Sequence, residues 1–151
     1  MSFETFEVII RFAIEKEKEA VAFYSELSKE EQFSGIRETF ASFAKEEQKH
    51  VEMLENFSRE NNERYKIEKI PDLKRSDYLV EIKYEQGMSY PDILRLAVKR
   101  EEKAVKLYSD FGNEAAKEEH KKLFQVLAQE ESKHKLKLET IYDDYMAKMG
   151  D

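Results

Sequence analysis

Ala13-Ile-Glu-Lys-Glu-Lys-Glu-Ala-Val-Ala-Phe-Tyr24 returns 84 residues later as Ala97-Val-Lys-Arg-Glu-Glu-Lys-Ala-Val-Lys-Leu-Tyr108. At the same offset Phe40-Ala-Ser-Phe-Ala-Lys-Glu-Glu-Gln-Lys-His50 returns as Phe124-Gln-Val-Leu-Ala-Gln-Glu-Glu-Ser-Lys-His134, with no gap between the paired segments. Within each segment the apolar residues recur in alternating steps of three and four, the period of a buried helical stripe. One helical hairpin is therefore written twice, and the repeat dictates the architecture.

The stripes can be followed outward from these stretches. The first runs through Phe6, Ile10, Ala13, Glu17, Ala20, Tyr24 and Leu27, and the second through Ile36, Phe40, Phe43, Glu47, His50, Leu54 and Phe57. The third takes Leu94, Ala97, Glu101, Ala104, Tyr108 and Phe111; the fourth takes His120, Phe124, Leu127, Glu131, His134, Leu138, Ile141 and Tyr145. These predict helices over about 3–29, 35–61, 91–113 and 116–146. Pro91 suits a first helical turn, where its missing N–H is not needed, and Gly35 and Gly112 are expected in the short hairpin connections.

The expected fold is all-α: a ferritin-like four-helix bundle of two repeated hairpins, about 3–62 and 90–148, forming one domain over 1–151. The intervening segment, about 63–89, holds Pro71, Gly87 and the apolar patch Tyr78-Leu-Val, and reads as a long crossover along the bundle, the alternative being a flexible linker between two weakly coupled hairpins. Tyr78-Leu-Val-Glu-Ile also offers a weak signal for pairing with a second subunit.

Composition agrees with that class. The 151 residues are 40 % apolar and 39 % charged, with 4 Gly and 2 Pro, the balance of long solvated helices rather than of a many-turned β protein. The net charge of −7, with no run of five Lys/Arg, argues against nucleic acid and anionic lipid as partners. The absence of cysteine removes disulfides, thiolate nucleophiles and cysteine-ligated zinc or iron–sulfur sites. The acidic start and the lack of an apolar run of membrane-spanning length predict a soluble, cytoplasmic protein.

Four acids interrupt the stripes: Glu17, Glu47, Glu101 and Glu131. An unpaired buried carboxylate costs several kcal/mol, so four in one core need a cationic partner. No Lys or Arg occupies the stripes. Two divalent ions would balance four carboxylates, and Glu47-x-x-His50 and Glu131-x-x-His134 each place both side chains on one helix face. Manganese would satisfy the same donors as iron.

Glu17 with Tyr24 seven residues on, the Glu47-x-x-His50 pair, and the second copy of both resemble the di-iron domain of rubrerythrins within the ferritin-like superfamily, over nearly the whole chain. The donor pattern is the one known for ferritin-like and designed di-iron proteins, matched here rather than derived. The resemblance implies two iron ions, with Glu47 and Glu131 bridging them, Glu17 and Glu101 each binding one terminally, and His50 and His134 each capping one. It also implies that Tyr24 and Tyr108 donate hydrogen bonds to the carboxylates, their alternative role being core packing.

Two features depart from the rubrerythrin pattern. Ala104 stands where the family carries a further acid, leaving six ligands. The chain also lacks the family's cysteine-ligated rubredoxin domain, so electrons are expected from an external donor such as a rubredoxin-like protein. His120, eleven residues before Glu131 and therefore about 16 Å away along the axis, reads as a core or helix-start residue. Glu15, Glu19, Glu46, Glu102 and Glu130 fall off the stripes and are expected on a solvated face.

The function expected from this reading is a di-iron oxidoreductase reducing hydrogen peroxide or dioxygen, in the chemistry of oxidative stress, and assembled as a homodimer. A ferroxidase or iron-handling role and a metal-free structural bundle are the alternatives.

Overall fold

The structure is a computed structural model that describes residues 6–57, 85 and 87–149. The Tyr78-Leu-Val patch and nearly all of the expected crossover lie outside the described residues. The chain divides into two compact units, Met1–Arg64 and Tyr65–Asp151, each containing one helical hairpin.

In the first unit α1 spans Phe6–Ser28 and α2 spans Arg37–Asn56, and the two pack against each other. The expected seam is buried along α2 from Ile36 to Phe57 and along α1 at Ala13, Glu17, Tyr24 and Leu27. The connection is more ordered than a bare loop: a 3₁₀ segment, Glu31–Ile36, buries Phe33 and Ile36. Phe33 leaves helical geometry (φ −107°, ψ 26°), and its ring meets Phe40 edge-on at 6.3 Å. Residues expected to begin α2 therefore form a tighter turn, because two apolar side chains there gain about 1.5–3 kcal/mol each by burial.

In the second unit α3 spans Tyr90–Glu114 and α4 spans Glu118–Met149, again packed together. Ser89 caps α3, its hydroxyl accepting a hydrogen bond from the Asp92 N–H at 3.3 Å, and Pro91 sits in the first turn as expected. Gly87, at φ +89°, takes a left-handed conformation two residues before the cap.

Gly112 corrects the sequence reading. It lies in the last turn of α3 rather than in the connection, and a Cβ there would stand 3.6 Å from Phe124 Cβ. Glycine costs a helix about 1 kcal/mol relative to alanine, but packing of α3 on α4 overrides that preference. The helix ends instead at Ala115, whose backbone turns extended (φ −67°, ψ 136°) while its N–H still reaches Phe111 O at 3.0 Å.

The repeat is visible in the packing. Tyr24 stacks on Phe40 with ring centroids 6.0 Å apart, and 84 residues later Tyr108 stacks on Phe124 at 6.2 Å. Phe43 closes edge-on against Tyr24, whereas Phe111 closes against Phe124. Each hairpin thus has an aromatic plug toward its turn, and the acids begin roughly two helical turns away.

Candidate metal centre

The seam that buries the aromatic plug carries, two turns further on, one acid from the first helix of each hairpin and a Glu-x-x-His from the second. All six side chains are at most 4 % exposed: Glu17, Glu47 and His50 in the first unit, Glu101, Glu131 and His134 in the second. Burial follows from phase, since each acid occupies a position between apolar residues on the same stripe.

Within the first hairpin His50 Nδ1 lies 3.0 Å from Glu17 Oε2 and 3.1 Å from Glu47 Oε1. Within the second, His134 Nδ1 lies 3.3 Å from both Glu101 Oε2 and Glu131 Oε1. In each trio one donor atom per residue falls within 4.8 Å of the others. Two donors bound side by side at about 2.1 Å from an ion are about 3 Å apart, so these separations fit neighbouring ligands of one metal. The donor chemistry also fits: carboxylate and imidazole suit iron and manganese, with no thiolate to draw softer ions.

In the first hairpin His50 is the group placed to carry positive charge between the two carboxylates whenever no ion does so. Burial pushes the His50 imidazole down, but its hydrogen bonds to Glu17 and Glu47, with their negative charge, outweigh that and push it up to about 10. The side chain that would cap an ion is thereby held between the two carboxylates that would share it.

Tyr24 and Tyr108 are buried with their rings packed as described, which is the core-packing role given as their alternative. His120 is the third residue of α4, only partly buried and pushed below the usual imidazole range chiefly by that burial. This agrees with a helix-start histidine. Glu15 and Glu19 are exposed as expected, and Glu130 pairs with Lys133 at 3.4 Å.

The stripes understate the burial of the second hairpin. Ile93, Leu96 and Val98 on α3 and Leu123 and Val126 on α4 are buried beside the seam, as are three polar residues of α4: Gln129, Lys135 and Glu139. Glu102, expected to be simply solvated, reaches Lys135 at 3.6 Å. A comparison of the two repeats contains a signal for this, because buried Val51 is replaced by Lys135 at the 84-residue offset. A groove of about 550 Å³ also runs beside Tyr108, between Gly112 and Lys121 at one end and Ser132 at the other.

Four helices in two like hairpins, no strand among the described residues, and a carboxylate–histidine trio in each define an all-α protein of the ferritin-like four-helix class. The chain belongs to the rubrerythrin family, which it matches over residues 8–142. Among solved structures it resembles a hypothetical protein from Pyrococcus furiosus, 26 % identical, with a TM-score of 0.67 over 93 % of this chain and 89 % of that one. Comparison with curated proteins returned no match. The family binds iron and typically comprises di-iron oxidoreductases. No helix among the described residues is long and apolar enough to cross a membrane.

Proposed function

We propose that the chain is a di-iron oxidoreductase that reduces hydrogen peroxide or dioxygen with electrons from an external donor. The observation that carries this reading is the duplicated buried trio, in which each His Nδ1 reaches one carboxylate from each helix of its hairpin at 3.0–3.3 Å. Family membership supports iron as the metal, and manganese is the other ion these donors suit.

In this reading Glu17 and Glu101 would be the terminal ligands, Glu47 and Glu131 the bridging ones, and His50 and His134 would each cap one ion. When bound, the iron pair supplies two electrons to the O–O bond of peroxide, which with two protons gives two molecules of water. The chain's own residues do the rest. The two Glu-x-x-His pairs fix donors on one face of α2 and of α4, so binding distorts neither helix. The buried seam limits water around the carboxylates, and Tyr24 and Tyr108 fill the core beside them.

A rubredoxin-like protein is the external donor proposed to complete the cycle. A cytoplasmic homodimer is the assembly proposed with it. The test is anaerobic loading with ferrous iron, determination of the iron-to-protein ratio, and stopped-flow addition of peroxide. Two irons per chain and oxidation well above the rate of free ferrous ion are expected. Oxidation no faster than free ion would defeat the proposal.

A further inference from the structure

The repeat that matches the two trios breaks one residue beyond them. In the second hairpin Glu102 follows Glu101 and Lys135 follows His134, and Lys135 Nζ lies 3.6 Å from Glu102 Oε2 with the lysine side chain 7 % exposed. The Glu101–His134 contact at 3.3 Å is therefore backed by a second tie between the same two helices. Glu139, one turn beyond Lys135 and on its face of α4, is also buried.

The first hairpin has none of these features at the matching positions. They hold exposed Lys18, buried Val51 and exposed Glu55, and valine cannot pair with a lysine. At these positions the Glu17–His50 contact has no counterpart of the Glu102–Lys135 tie.

A buried ion pair adds little net stability compared with an apolar pair of the same volume, so its consequence lies in geometry. Lys135 meets Glu102 only while α3 and α4 keep their spacing at the trio, which holds Glu101 opposite His134 before any ion arrives. Donors fixed in advance lose less freedom on binding. Charge acts in the same direction: Glu102, Lys135 and Glu139 sum to −1 in a largely buried setting, whereas Lys18, Val51 and Glu55 sum to zero with both charges in solvent.

We propose that the Glu101, Glu131 and His134 trio binds a divalent ion more tightly than the Glu17, Glu47 and His50 trio and fills first, with Lys135 as its positioning residue. This rests on the metal-binding reading above.

The test uses the full chain, stripped by chelator, labelled with ¹⁵N-histidine and titrated with Zn(II) as a redox-silent probe. Ring-nitrogen signals report ligation of His50 and His134 separately, and His120 is an internal control. At half an equivalent, ligation of His134 should exceed that of His50 by about tenfold, the lower range for residues that orient metal ligands. Lys135→Met with Glu139→Gln removes one charge of each sign, so the local net charge is unchanged while the tie is lost. The ratio should then fall toward one, whereas Lys135→Arg should preserve it, with circular dichroism confirming that each variant is folded. Equal filling in the unsubstituted chain, His50 filling first, or an unchanged ratio in the double variant would overturn the ordering. No ligation at either histidine would overturn the metal-binding reading itself.

Discussion

Replacing His50 by leucine in the metal-free protein removes the cation held between two buried carboxylates, and the cost can be worked from the structure. His50 Nδ1 lies 3.0 Å from Glu17 and 3.1 Å from Glu47, and the imidazole is pushed up to about 10. A group raised from an ordinary value near 6.5 to about 10 contributes stability that is complete below pH 6.5 and lost as pH rises through 10. At about 1.4 kcal/mol per pH unit this contribution is roughly 4 kcal/mol at pH 7. Breaking one side of a buried pair gives the same magnitude independently, about 3–5 kcal/mol. Urea unfolding of chelated protein, followed by circular dichroism between pH 6 and 10.5, measures both size and pH dependence. His50→Leu should lose about 4 kcal/mol at pH 7, and the gap to the unsubstituted chain should narrow steadily toward pH 10. A difference below about 1 kcal/mol at pH 7, or one constant across this range, would refute the reasoning.

Three further outcomes follow from the same geometry. Because metal must replace the His50 proton, loading at pH 7 should release protons and tighten as pH rises, measurable by calorimetry in buffers of different ionisation enthalpy. Phe40→Ala, which opens the plug beneath Tyr24, should destabilise by about 3–5 kcal/mol in urea. Ser89→Ala should cost only about 1 kcal/mol by the same method, since it removes a single exposed cap bond from α3.

Much of the architecture was legible because helical phase is written locally. The step of three and four through Phe40, Phe43, Glu47, His50 and Leu54 marks which side of α2 is buried without reference to any other segment. Gly112 is not legible as helical because propensity describes an isolated helix, while its place in the last turn of α3 is settled where α3 packs on α4. Phe33 is not legible in the sequence because a 3₁₀ turn has no sustained apolar period. The burial of Lys135 and Glu139 is hidden for another reason: charged residues off a stripe are usually solvated, and only the packed hairpin encloses these two.

By itself the sequence determined the duplication, the helical class and the six candidate ligands, since each follows from residue type and spacing along the chain. Only the tertiary structure decided that both histidines reach a carboxylate of the neighbouring helix at 3.0–3.3 Å, and that Glu102 and Lys135 tie α3 to α4 beside one trio. Helical periodicity fixes the face on which a side chain emerges, but the distance between faces is set by the side chains packed between them.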